Sequence, residues 1–269
     1  MNIIITNNLN PPITPKRNLS LIKNIIETVH CDLIVFMGDI VHGPDFDKCQ
    51  KEYEKYLREV LDLTNGIPFA TIFGNHDDEC DITKKEILRI VKDYPNAVTK
   101  AANYTIEMEG ETLLFIDSGS YYEGDSSFYD TVKPETIEWA KQQIKEKQAI
   151  LFQHIIVPDV MEYIDEKKIF GKRLVKFKSG LMHTGALRER PCPPDINTGE
   201  LPELSLYLKG AVFAHDHYND FEFSIGKVRI IQCGGAGYNS YEKCNRRSIK
   251  LLDTHTMTTK KIYIQVFDR

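Results

Sequence analysis

No run in the 269 residues approaches the roughly 18 consecutive apolar side chains of a membrane span, and the longest, such as Leu33 to Met37, are strand-sized. The N-terminus lacks a basic segment followed by a long apolar one, because Ile3-Ile4-Ile5 stops at Thr6, so no secretory signal is indicated. The six cysteines are scattered without a CxxC pair, which suits neither a zinc knuckle nor a compact disulfide framework and implies reduced thiols in a cytoplasmic protein. Excess positive charge is also missing: 34 Lys and Arg against 39 Asp and Glu leave a net charge of -5. Neither nucleic acid nor a membrane is therefore expected as a partner, and a role at either would need a local basic patch. The 27% charged and 42% hydrophobic residues are the balance of a globular chain.

Short apolar runs alternate with helical patterns through the first half, which implies an α/β protein. Ile3 to Thr6 reads as a strand, and Asn18 or Ser20 can cap a helix carrying Leu21, Ile22, Ile25, Ile26 and Val29. Leu33 to Met37 is a second strand. Asp45 to Asn65 has helical spacing at Tyr53, Tyr56, Leu57, Val60 and Leu61, and Gly66 ends it before the strand Phe69 to Phe73. Thr83 to Tyr94 reads as helix, Tyr104 to Met108 and Thr112 to Ile116 as a hairpin turning at Glu109-Gly110, and Pro134 as the first residue of a helix. Beyond the strand Ala149 to Phe152, the strands Ala211 to Ala214, Phe221 to Ile225, Val228 to Gln232, Ser248 to Leu252 and Lys261 to Val266 predict a second, mostly antiparallel sheet. Residues 1–269 read as one domain with an elaborated loop region at 155–210. The lysines and arginines of that region, Lys167 to Arg190, read as a solvated face.

Four places set metal-ligand side chains just after an apolar strand, where neighbouring strand ends share one crevice: Gly38-Asp39, Gly74-Asn75-His76-Asp77, Gln153-His154 and Ala214-His215-Asp216-His217. Imidazoles, a carboxylate and an amide carbonyl form a mixed nitrogen and oxygen set suited to borderline or hard cations.

In these motifs the chain resembles the calcineurin-like metallophosphoesterases, whose ordered signatures are DxH, GD, GNH(D), a later strand-end His and GHxH. Phe73 to Glu79, Leu114 to Gly119, His215 to Phe221, Gly234 to Tyr241 and Arg246-Arg247 look like the purple-acid-phosphatase-related branch of yeasts and plants. The resemblance implies a four-layer α-β-β-α sandwich, two mixed β-sheets flanked by helices, with metal between the strand ends. It implies that Asp39, Asn75, His154 and His215 hold one ion (manganese, zinc or iron), and that Asp39 and His217 belong to a second. It also implies that His76 is the catalytic histidine, with Asp77 orienting its ring, and that a metal-activated water attacks a phosphate monoester of a phosphoprotein or small molecule.

Two departures stand out. Aligning Ile3 to Thr6 with the family's first strand puts Asn7 and Leu9 in the Asp and His slots of DxH, so one tight metal and a weak or missing second are expected. His42 stands where purple enzymes have a tyrosine, so a ferric-tyrosinate colour is not expected, and His42 reads as a loop residue or spare ligand. The lost pair keeps a weakened or inactive binding protein as an alternative to the phosphatase, and a phosphodiesterase as a further one. Asp117, His183, Arg246 and Arg247 are weaker candidates near the crevice and stay outside the metal set.

Overall fold

The computed structural model describes residues 1–6, 9, 15–42, 50–122, 125–237 and 247–264. Strand β1 (Asn2–Thr6) leads to helix α1 (Pro15–Thr28), β2 (Leu33–Phe36), α2 (Gln50–Leu61), β3 (Phe69–Thr71) and α3 (Lys84–Lys92). β4 (Tyr104–Met108) and β5 (Glu111–Ile116) form the expected hairpin. A small hairpin of β6 (Tyr121–Tyr122) and β7 (Asp125–Tyr129) precedes α4 (Pro134–Ile144) and β8 (Ala149–Gln153). Then come β9 (Ile164–Ile169), β10 (Lys172–Phe177), β11 (His183–Ala186), α5 (Glu200–Leu204), β12 (Leu208–Phe213), β13 (Asp220–Ile225), β14 (Val228–Gln232), β15 (Ser248–Asp253) and β16 (Thr258–Tyr263).

Two large sheets carry the fold. One runs β16-β15-β1-β2-β3, with β1, β2 and β3 parallel and β15 and β16 antiparallel at its edge. The other runs β11-β13-β14-β12-β8-β5-β4. The apolar runs fill both faces because alternate side chains of a strand point to opposite sides. Ile3, Ile5, Leu33 and Val35 meet Phe115, Ile150, Phe152 and Val212 of the opposite sheet in one buried layer. Ile4, Ile34 and Phe36 face outward onto Ile22 and Ile25 of α1, Tyr53 and Leu57 of α2, and Ile87 and Ile90 of α3. Leu114, Leu151 and Phe213 pack on Ile137 and Ile144 of α4 and on Leu201 and Leu204 of α5. The result is helices, sheet, sheet and helices in four layers.

Several expectations need correction. The second sheet is mixed, because β5, β8, β12 and β14 run parallel, β4 and β13 run against them, and β11, antiparallel to β13, runs with them again. β15 and β16 belong to the first sheet, where β15 covers the free edge of β1. Helix α1 starts at Pro15 rather than at a cap on Asn18 or Ser20; proline is favoured in a first turn because its missing N–H would be unpaired there anyway. The loop region 155–210 contains a turn of 3-10 helix at Pro158–Tyr163, the β9–β10 hairpin, β11 and α5. The start of the helix expected from Asp45 lies outside the described residues.

Candidate metal centre

The parallel strands β1, β2, β3, β8 and β12 end at the same edge of the sandwich, so the segments that follow them converge. Asp39 follows β2 in a left-handed conformation at φ 49°, and His215 follows β12 at φ 68°. Non-glycine residues seldom adopt such angles, and strain of this kind gathers where a side chain must be aimed. Gly38 and Gly74 permit the approach of the two loops. A Cβ on Gly38 would come 2.5 Å from the Gly74 nitrogen and 2.7 Å from His154 Nδ1.

Asp39, His154 and His215 each bring a ligand atom within 4.8 Å of the others, and all three are buried. The Asp39 carboxylate is divided: Oδ1 accepts the His76 backbone N–H at 2.9 Å, and Oδ2 lies 3.2 Å from His154 Nε2. His154 Nδ1 is 2.6 Å from the Met37 carbonyl, to which it donates, leaving the Nε2 lone pair toward the cluster. Asn75 donates through Nδ2 to the Tyr121 hydroxyl at 3.2 Å, which leaves its carbonyl oxygen, buried and without a hydrogen bond, as the free end. Asp39 Oδ2 and His154 Nε2 are likewise buried without a well-directed hydrogen bond. Orphaned polar atoms of this sort are rare inside proteins, and an oxygen from each of two side chains beside a ring nitrogen is a fitting set for a divalent cation.

The electrostatics agree. Burial works to raise the Asp39 carboxyl, but the charge of His154 overrides it and holds the group well below its usual range. Burial works to lower His154, and Asp39 overrides it and raises that ring. Positive charge is thus wanted beside Asp39, and a cation can supply it in place of a proton. Burial, reinforced by His154, pushes His215 down to about 3, and burial pushes His217 down to about 4. Both imidazoles are therefore neutral near pH 7, the form that ligates metal. His217 stands half-buried on the same loop, outside the tight three-residue cluster.

Asp77 does not hold the His76 ring, contrary to the expected role. Its buried carboxylate accepts backbone N–H groups from Asp39 at 2.9 Å, Ile40 at 3.0 Å and Gly74 at 2.8 Å, and the Tyr53 hydroxyl at 3.4 Å. It ties the loop after β2 to the loop after β3. The ring's partner is Glu79, which takes His76 Nδ1 in a short contact. Burial acts to lower the His76 pKa, but the Glu79 hydrogen bond and the Asp39 charge leave it raised, favouring a protonated imidazole. His42 is not a detached loop residue, since its ring packs 4.4 Å from that of His76 and the two approach Glu79 within ligand distance.

Of the first motif, Asn7 lies outside the described residues. Leu9 is 1% exposed and packs in the core with Ile4 and Ile22, while its N–H donates to the Asp39 carbonyl at 3.2 Å. Its backbone thus reaches the centre and its side chain turns away. The weaker candidates sit apart from the cluster: Asp117 pairs with Lys84 at 2.9 Å, His183 is exposed against Phe177, Arg247 is buried next to β15, and Arg246 lies outside the described residues. Sequence reasoning missed Tyr121 and Tyr129. They stack 5.7 Å apart, and Tyr129 meets the His215 ring edge-on at 4.6 Å, so the β6–β7 hairpin roofs one side of the centre. The tyrosines after Gly119-Ser120 were the only signal.

Residues 13–219 match the profile of the family described as Calcineurin-like phosphoesterase. The chain belongs to that family. It is 27% identical over 256 residues to a probable inactive purple acid phosphatase 14 of Arabidopsis thaliana, a match covering 82% of this chain and 62% of the relative. With the phosphatase DCR2 of Saccharomyces cerevisiae it shares 23% identity over 233 residues, covering 75% of this chain and 38% of the yeast protein. The chain therefore spans under two thirds of these relatives' lengths. A crystal structure of a hypothetical protein from Thermus thermophilus superposes with a TM-score of 0.52 at 11% identity, covering 98% of each chain, which shows the shared fold.

Proposed function

We propose that this chain is a metal-dependent phosphomonoesterase acting on a phosphoprotein or a small phosphate ester. The observation that carries the reading is the convergence of buried Asp39, His154 and His215, with the Asn75 carbonyl, beside a His76 ring whose Nδ1 meets the Glu79 carboxylate. An ion of manganese, zinc or iron bound there would supply Lewis-acid charge for a phosphoryl oxygen and would acidify water near neutral pH. Asp39, Asn75, His154 and His215 would hold the ion, and His217 would serve a second one beside Asp39. His76 gives its proton to the leaving oxygen, and Glu79 keeps that proton in place by raising the ring's pKa. Asp77 acts through the backbone, fixing Asp39 and Gly74 at the spacing the cluster needs.

Metal analysis combined with hydrolysis of aryl phosphate mono- and diesters tests the reading. Bound metal and monoester turnover are expected, and His76→Ala should keep fold and metal while losing about 10²- to 10⁴-fold in turnover. Diester turnover alone would make the protein a phosphodiesterase. Metal without turnover would favour the binding-protein reading, to which the plant relative's name and the buried Leu9 lend weight. A cytoplasmic setting, proposed from six cysteines scattered without a CxxC pair, suits either.

A further inference from the structure

The β9–β10 hairpin is joined by the two residues Phe170 and Gly171, at φ 48° and 76°. Two left-handed residues in a tight hairpin turn call for Asn-Gly or Asp-Gly; a bulky aromatic at the first position is strained. The Glu109-Gly110 turn of β4–β5 shows the ordinary polar solution to the same geometry. Phe170 has no packing to offset its strain, since it is 101% exposed.

The strands below continue the pattern. Cross-strand partners share a face, and the base of one face, Ile164 with Phe177 and then Val175, packs on the core. The other face carries Ile169 beside Lys172, Leu174 beside Lys167, and Asp165 beside Lys176. Ile169 is 44% and Leu174 53% exposed, each opposite a lysine. Asp165 pairs with Lys176 and Glu166 with Arg173 and Arg190, so the acidic charge is confined to the base. Residues 164–178 hold six basic side chains against two acidic ones. This is the local basic patch that the overall charge of -5 did not reveal.

From this arrangement we propose that the β9–β10 hairpin docks on an anionic membrane surface, with Phe170 and Ile169 entering the headgroup boundary and Lys167, Lys168, Lys172 and Arg173 lying against lipid phosphates. An apolar tip ringed by lysines, whose stems cover aliphatic surface while their ammonium groups reach outward, matches a bilayer interface in both layers of its chemistry. A single-stranded nucleic acid would use the lysines and the ring but not the aliphatic pair of Ile169 and Leu174. The hairpin adjoins the metal centre: Arg190 grips Glu166 at 3.1 Å, and two residues on the Cys192 N–H donates to Asp216, between His215 and His217.

Co-sedimentation of the 269-residue chain with sucrose-loaded vesicles tests the proposal, comparing pure phosphatidylcholine with a mixture holding about 30% phosphatidylserine. Binding is expected only to the anionic vesicles and should fall steeply as salt rises toward about 0.5 M. Phe170→Asn removes the ring while installing the residue this turn prefers, so folding is preserved; it should weaken binding about tenfold. Lys167→Glu with Lys172→Glu should abolish it. In Phe170→Trp the indole emission should shift to the blue on the anionic vesicles. No sedimentation of the wild-type chain, equal binding to neutral vesicles, or unchanged binding of Phe170→Asn would overturn the proposal. So would binding of an oligothymidine that displaces the chain from vesicles through the same residues.

Discussion

The two sides of the metal centre are built to different standards. On the side of β8 and β12, His154 and His215 are buried, their rings 5.3 Å apart, and His154 is oriented by the Met37 carbonyl. On the side of β1, Leu9, aligned with the His of the family's first motif, faces the core, and Asp39 and His217 stand with His42 nearby. Burial makes the difference. A ligand at the end of a central strand is surrounded by two sheets and has few rotamers, whereas Leu9, in the segment after β1, meets Asp39 through its backbone N–H. Under the proposed function the closed side would hold a first cation and the open side only a weaker second.

The largest effect should come from breaking the closed side. His154→Ala removes a ligand and leaves Asp39 buried without its counter-charge, a change that costs about 3–5 kcal/mol in comparable buried pairs. Metal affinity should fall by more than the roughly 10- to 100-fold typical of altered supporting groups, read by competition with a chelating dye. An unchanged affinity would mean that the cation does not sit on the closed side.

Rebuilding the open side is the next test. Asn7→Asp with Leu9→His should raise the bound metal from one to two per chain. Because Leu9 is a core residue, the metal-free variant should lose about 2–5 kcal/mol of stability, the usual loss for a buried leucine. Added metal should restore part of it, as ligand binding to the folded state must. Two tight metals in the unaltered chain would erase the contrast and make His42 the missing ligand.

That contrast was partly legible in the sequence. Asp39, Asn75, His154 and His215 could be assembled because each follows a short apolar run, and parallel strands bring their ends together. The four layers were legible from the family motifs rather than from periodicity, since buried strands apolar on both faces do not say which sheet they join. Hence β15 and β16 were placed in the wrong sheet. The roles of Asp77 and Glu79 could not be separated by spacing either. Both lie within three residues of His76, and only the tertiary fold turns one carboxylate toward backbone N–H groups and the other toward the ring. Tyr121 belongs to none of the four strand-end motifs, and its value comes from its contact with Asn75.

Tyr121 sharpens the comparison further, because its hydroxyl holds the Asn75 amide so that the carbonyl is the end left for metal. Tyr121→Phe keeps the ring stacked on Tyr129 and deletes the hydroxyl's bond to Asn75 along with its contact to Glu79. A neutral hydrogen bond contributes about 0.5–1.5 kcal/mol, so metal affinity should drop by about 2- to 10-fold. A larger loss would show that the hairpin roof is itself part of the closed side.

The smallest effect should come from behind the closed side, where buried Glu200 lies 3.3 Å from the Nε2 of Gln153, the residue preceding His154. Burial pushes the Glu200 carboxyl from 4.5 up to about 8. Between those values the folded chain holds a proton that the unfolded chain has released. Stability must therefore fall as pH rises from about 4.5 toward 8, and the full stability is present only below that window. Glu200→Gln fills the same space with a group that never ionises, and its amide can donate to the buried Gln153 Oε1, which lacks a hydrogen bond. The melting temperature of the variant should match the original chain near pH 5 and exceed it by a margin that widens as pH rises toward 8, each kcal/mol being worth roughly 2–4 °C in a protein of this size. A pH-independent difference would show that Glu200 stays ionised in the fold, and a loss of metal affinity in the variant would show that the closed side extends a full residue layer deeper than its ligands.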